Sequence, residues 1–159
     1  MAEKIDVRPA TITIYKNEVL VVNSIYGNEK YYLFPGGGIN FGETIEEATI
    51  RETFEETGIK VKIIKLVYIN EYINSKDKSK RVLNIFFLAE PIGETKIKPM
   101  TNDNGKIKRA EWIKIEDLKK IDLKPEIIKK RLPKDIRNGF FSAITLSVDY
   151  QNKNSKKRY

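Results

Sequence analysis

The residues of this chain whose types and spacing could do chemistry lie between Phe34 and Gly58, in FPGGGINFGETIEEATIRETFEETG. That stretch gathers five glycines and six glutamates inside a chain of formal net charge +8. Glu52, Glu55 and Glu56 stand at i, i+3 and i+4. On a helix such carboxylates have Cβ atoms about 5–6 Å apart, and like charges there cost a few tenths of a kcal/mol per pair. Two readings compete. One is a solvated acidic face, the usual meaning of a charge run. The other is a divalent-cation site, in which Mg²⁺ or Mn²⁺ relieves the repulsion. Hard oxygen ligands suit both ions, and Mg²⁺ commonly keeps waters and shares itself with substrate phosphates.

The surroundings of the glutamates favour the second reading. PGGG ends a predicted strand just before the helix. Glycines there let the backbone turn sharply and bring N–H groups close to a phosphate. The helix itself is well specified: Thr44 and Glu47 form a capping-box pattern, and Gly58 supplies the stop after Thr57. On a wheel of about 100° per residue, Ile50 and Phe54 share one side. Glu52 and Glu56 fall nearly opposite, with Glu55 flanking. The expectation is an apolar pair packed on a sheet, with three carboxylates converging outward.

Composition removes most other chemistries. The chain has no cysteine and no histidine, so disulfides, zinc–thiolate sites, cysteine nucleophiles and Ser-His-Asp triads are excluded. Acid–base work must come from Asp, Glu, Lys, Tyr or a bound ion. The basic balance, 30 Lys and Arg against 22 Asp and Glu, suits anionic partners such as nucleotides or nucleic acid. A lysine-rich surface explains it equally well. No apolar run reaches the ~18 residues of a membrane span, and the polar start MAEKIDVRPATITIY lacks a signal-peptide core. A cytoplasmic protein without a membrane partner is the expectation.

At 159 residues, the chain reads as a single α+β domain over 1–150, followed by a basic, fraying tail over 151–159. PATITIY, VLVVNSIY and YYLF read as three strands with turns at KNE and GNEK. KVKIIKLVYINEYI and RVLNIFFLAEP read as two more around the hairpin NSKDKSK, and IKRAEWIKI as a last short strand. IEDLKKI and KPEIIKKRL read as short helices, with Pro133 stopping the second.

Gly37, Glu43, Arg51-Glu52, Glu55-Glu56 and Gly58-Ile59, with their intervals of five and seven residues, resemble the Nudix box, G-x5-E-x7-R-E-U-x-E-E-x-G-U with U a bulky aliphatic. One position departs: Thr53 stands where the family has Leu, Val or Ile, and a packing adjustment is expected there. The resemblance implies a mixed β-sheet sandwiched between α-helices. It implies hydrolysis of a nucleoside diphosphate linked to another moiety, with Mg²⁺ or Mn²⁺. By position it makes Glu52, Glu55 and Glu56 the metal ligands, with Glu52, Glu55 and Arg51 serving catalysis. Glu43 and Arg51 become the pair that orients the ligands, and Gly37 and Gly38 the loop that shapes the metal and phosphate site.

With no histidine, a carboxylate is the expected base: Glu52, or one of Glu71, Glu90 and Glu111 downstream. Trp112 reads as a core aromatic. The tyrosines of YYLF and EYIN are weak candidates for base stacking, and Lys30 and Arg81 for phosphate. The substrate expected is a small nucleotide such as a nucleoside triphosphate, ADP-ribose or a nucleotide sugar. An RNA 5′ end is the alternative, and a nucleotide-sensing module without catalysis the third reading. A homodimer is compatible with the hydrophobic strands KIIKLVYI and RVLNIFFLAE, though core burial explains them too.

Overall fold

β1 (Lys4–Tyr15) is the strand around which the molecule is built. Its segment Ala10–Thr13 is fully buried at every position. Successive strand residues point to opposite faces, so β1 must be covered on both sides. The structure, a computed structural model describing residues 4–26, 29–74, 80–98, 109–141 and 145–151, provides both covers. Thr11 meets Thr53 of helix α1 (Ile45–Thr57) on one face. Ala10 and Ile12 join Ile128 and Leu132 of helix α2 (Glu126–Arg137) in the main core on the other.

The remaining strands are β2 (Glu18–Tyr26), β3 (Glu29–Leu33), β4 (Val61–Asn74), β5 (Lys80–Pro91), β6 (Ala110–Lys114), β7 (Leu123–Lys124) and β8 (Thr145–Gln151). They form one mixed sheet in the order β7-β3-β2-β1-β5-β4-β8, with β6 paired to β2. β1 runs parallel to β5 from Lys4↔Lys80 to Thr13↔Ala89. A two-residue turn, Lys16–Asn17, carries β1 into β2 with both residues at positive φ, as the twist of a tight hairpin demands. This is the α+β sandwich that the sequence implies.

β1 begins at Lys4, five residues before the expected PATITIY; the strands from β2 to β5 run close to their expected bounds, and the middle of the hairpin NSKDKSK lies outside the described residues. Core burial accounts for the apolar content of β4 and β5 at Val67, Tyr68, Phe86, Phe87 and Ala89. Trp112 packs against the second core of Leu20, Ile59, Val61 and Ala89, and its indole N–H donates to Thr95 O at 3.1 Å. It is a core aromatic, as expected.

Three expectations change near the C-terminus. IEDLKKI forms a 3₁₀ helix over Ile115–Lys120. Strands β7 and β8 have no counterpart in the sequence reading, and β8 takes in Gln151, assigned above to the tail; residues 152–159 lie outside the described residues. Pro133 does not stop α2 but lies inside it. A proline there removes one intrahelical bond and crowds the preceding turn. Buried Asp135 holds the turn beyond it, through a tertiary bond from Tyr68 Oη at 2.6 Å and an intrahelical one from Arg131 Nε at 2.7 Å. Burial alone would raise the Asp135 carboxyl, but the hydrogen bonds from Arg131 and Tyr68 outweigh it and hold it low. Burial, then the Asp135 bond, push the Tyr68 phenol up.

Candidate active site

The glycine loop takes the place of a strand beside β1. Thr11 N–H donates to Pro35 O at 2.9 Å, Gly37 N–H donates to Pro9 O at 3.2 Å, and Gly36 bridges Ala10. A Cβ on Gly36 would run into Pro9 O and the Ala10 backbone. Only glycine allows so close an approach. A Cβ on Gly37 would run into the carboxylate of Glu52 instead. Two consecutive glycines thus let one loop lie against a strand and against a helix glutamate. Gly38 differs, since its Cβ direction is open and it contributes its carbonyl, which accepts from Arg51 Nη2 at 3.0 Å.

Helix α1 has the ends its sequence specifies. Thr44 Oγ1 accepts from Glu47 N–H at 3.2 Å, Glu47 Oε2 accepts from Thr44 N–H at 2.7 Å, and Gly58 closes the helix at φ 72°. Its buried side agrees with the expected one at Thr53 but not at Ile50 or Glu56. Ile50 is exposed, whereas Ala48, Thr49, Thr53, Glu56 and Thr57 are buried. The carboxylates therefore do not all turn outward: Glu56 is 8 % exposed, and the Glu52 and Glu55 side chains are 18 % and 48 % exposed.

The polar buried side has a physical reason. Thr49, Thr53 and Thr57 each donate to the carbonyl four residues back, at 2.7, 2.8 and 2.6 Å. Thr53 has then used its one hydroxyl proton, so Thr11 donates to Thr53 Oγ1 across 3.0 Å of buried space. This is the packing adjustment at the departing box position: a threonine pair joins helix to strand where an aliphatic would otherwise pack. Thr53→Val is expected to cost about 1–3 kcal/mol by stranding the Thr11 hydroxyl. Adding Thr11→Val should restore most of that loss, so urea unfolding of the four proteins should give a coupling of about 1 kcal/mol or more. Additive losses would remove the pair from the account.

Arg51 organises the carboxylates. Its Nε donates to Glu43 Oε1 at 3.0 Å, Nη1 to Glu52 Oε1 at 2.8 Å and Glu55 Oε2 at 3.2 Å, and Nη2 to Glu43 Oε2 at 3.2 Å. The Glu43 hydrogen bond, then Glu52, hold the guanidinium well above its usual range, and Glu43 is drawn down in return. Glu56 accepts from Gly36 N–H at 3.0 Å. Among the described residues, no three acidic side chains already surround one point; Glu55 is drawn to Arg51. The glycine loop, Glu52 and Glu56 are brought together, with Glu43 and Arg51 beside them.

The sequence reading missed Arg8. This half-buried residue donates through Nη2 to Phe34 O and Gly36 O, both at 2.9 Å. Gly36 is thus held at both ends, its N–H by Glu56 and its carbonyl by Arg8. Burial lowers the Arg8 pKa, while Glu56 and then Glu52 act to raise it. No local signal marks a lone arginine early in a strand, and its partners lie 26 and 28 residues away.

Among the described residues the downstream acids have partners outside the box. Glu71 on β4 pairs with Arg81 at 3.1 Å, Glu90 stands 3.9 Å from Lys62, and Glu111 accepts from Asn23 Nδ2 at 3.1 Å. Register separates them. Glu71 pairs with Leu83, and Leu83 with Val7, two residues from Pro9. Glu90 lies five residues along β5 from Ile85, the partner of Pro9, or about 16 Å at strand rise. Lys30 lies over the Tyr32 ring at 5.1 Å, so it and Arg81 have structural neighbours of their own.

The family model described as the NUDIX domain matches residues 7–134. An m7GpppN-mRNA hydrolase from Caenorhabditis elegans is 32% identical over 107 residues, covering 64% of this chain and 12% of that protein. An ADP-ribose pyrophosphatase from Methanocaldococcus jannaschii is 36% identical over 102 residues, covering 62% of this chain and 55% of its own length. The chain thus spans less than two thirds of either relative. In fold it is similar to a NUDIX hydrolase from Nitrosomonas europaea, with TM-score 0.70 and 22% identity over 86% of this chain and 90% of that one. With the domain matched across most of this chain and Glu52 and Glu56 set against the glycine loop, this chain belongs to the Nudix hydrolase family.

Proposed function

We propose that this chain is a divalent-cation-dependent hydrolase that cuts the phosphoric anhydride of a small nucleotide, such as a nucleoside triphosphate, ADP-ribose or a nucleotide sugar. One observation carries the reading: the glycine loop lies flat on β1, with Gly37 against the Glu52 carboxylate and Gly36 N–H on Glu56. A surface helix with a solvated acidic face has no need of that close approach.

The donor set fits Mg²⁺ or Mn²⁺. Glu52, Glu55 and Glu56 offer only hard carboxylate oxygens. Glu52 Oε2 and Glu55 Oε1 accept no hydrogen bond among the described residues. When bound, the cation would neutralise charge on the anhydride and make water a better nucleophile. The chain's own residues do the rest. Arg51 and Glu43 fix the carboxylate side chains, the glycines leave room for phosphate oxygens, and Glu52 is the candidate proton acceptor in a site without histidine. Glu71, which register places closer to the loop than Glu90, is a downstream alternative.

The relatives' named activities differ, one on m7GpppN-mRNA and one on ADP-ribose, so the leaving moiety must be found by assay. Nucleoside triphosphates, nucleotide sugars, ADP-ribose, dinucleotides and 5′-triphosphate RNA would be offered with Mg²⁺, with Mn²⁺ and with chelator. Turnover of a small nucleotide that disappears with chelator is the expected result. No turnover of any substrate in either metal sinks the reading and favours a sensing module.

The likeness to an mRNA hydrolase and the net charge of +8 support a second reading, action on an RNA 5′ end. Preference for the RNA in the same panel, with binding that weakens steeply as salt rises, would establish it over the first.

A further inference from the structure

Arg8 has more hydrogen-bond donors than the glycine loop uses. A guanidinium carries five N–H donors in a planar fork. The two on Nη2 meet Phe34 O and Gly36 O, while those on Nε and Nη1 meet no acceptor among the described residues. The buried polar atoms without a partner, among the described residues, are Thr13 Oγ1 and Arg81 Nε. The spare donors of Arg8 therefore reach solvent. None of the ion pairs described among these residues includes Arg8, and Glu56, Glu52 and Tyr31 act on it electrostatically.

A cation drawn partly out of water without a bonded counter-ion is costly unless an anion arrives to meet it. Here the anion would come to the other side of Gly36, the residue whose N–H is held by Glu56 and whose carbonyl is held by Arg8. The planar fork of arginine suits phosphate oxygens. We propose that Arg8 is a phosphate ligand, in which Nη2 pins the loop while Nε and Nη1 bind a phosphoryl oxygen of the diphosphate. The assignment rests on the hydrolase reading above and names a residue that the box does not contain. Its charge would also offset the charge that builds on that oxygen during cleavage.

The rival account is that Arg8 only holds the loop in place. Two readouts separate them: binding of inorganic pyrophosphate in the presence of Mg²⁺, by calorimetry, and binding of Mn²⁺ alone, by electron paramagnetic resonance. Arg8→Met is expected to weaken pyrophosphate about 10- to 100-fold, as for loss of a charged hydrogen bond. KM should rise in step, with Mn²⁺ affinity unchanged. Unchanged pyrophosphate affinity overturns the proposal, and so does a parallel loss of Mn²⁺ affinity, the mark of a loop-positioning role.

If Arg8→Met fails to give a cooperative melt, Arg8→Lys decides. It keeps the charge but cannot serve loop and phosphate with one fork, so pyrophosphate binding should still weaken; wild-type affinity overturns the assignment. A wild-type protein that neither binds pyrophosphate nor turns over any substrate in the panel removes both this inference and the hydrolase reading. Intact turnover with an indifferent Arg8 variant removes this one alone.

Discussion

Replacing Glu56 by Gln is expected to lower kcat/KM by about 10³-fold, roughly 4 kcal/mol of transition-state stabilisation, while the protein stays folded. The two halves of that expectation have different sources. Glu56 is buried and accepts from Gly36 N–H at 3.0 Å. Gln is nearly isosteric and keeps a side-chain oxygen that can accept the same bond, so the loop keeps its anchor. What it loses is the negative charge, and a neutral amide is a poor ligand for a hard divalent cation. Steady-state kinetics in saturating Mg²⁺ would measure the loss, and a thermal melt would show whether the fold survives. A variant with wild-type turnover would remove Glu56 from the cation site.

The carboxylate and glycine spacing could be read from the sequence because it is local. Thr44, Glu47 and Gly58 act within one turn of the helix ends, and the structure gives them the bonds their types demand. The face that α1 buries was not readable, because it is decided elsewhere. Ile50 and Phe54 look like the anchoring pair only while the neighbour is unknown. The sheet presents Thr11 instead, and a threonine on the helix meets it. With the threonines turned inward, Glu56 comes along to the buried side and reaches the loop. The misread face and the unexpected burial of Glu56 therefore have one cause, a polar contact 42 residues apart in sequence.

Arg8, β8 and Pro133 escaped for related reasons. The partners of Arg8 are backbone carbonyls, which carry no residue type to search for. β8 pairs in parallel with β4, from Tyr68↔Thr145 to Asn74↔Gln151, so its partner strand lies far back in the chain. Pro133 obeys its local preference only if nothing further along holds the helix, and Asp135 does. In each case a contact between distant segments outweighs the local signal.

The paired substitutions Gly36→Ala and Gly37→Ala should separate stability from catalysis within two adjacent residues. At Gly36 the added Cβ meets backbone, the Pro9 carbonyl and the Ala10 Cα. Backbone cannot swing aside, so the loop must lift from β1 and loosen the Thr11–Pro35 and Gly37–Pro9 bonds. A stability loss of about 1–3 kcal/mol is expected, the range for overpacking a filled site. At Gly37 the nearest atoms that the added Cβ meets all belong to the Glu52 carboxylate, the far end of a flexible side chain. That end can move, so the urea midpoint should shift little. The movement would take Glu52 from its place beside the loop, and a displacement of about 1 Å in a positioned group can lower turnover by about 10²-fold. The expected pattern is thus a destabilised Gly36→Ala, and a stable Gly37→Ala with kcat reduced about 10²-fold. Full activity in Gly37→Ala would mean that the position of Glu52 does not limit the reaction. The base would then have to be sought outside the box, with Glu71 the first to test.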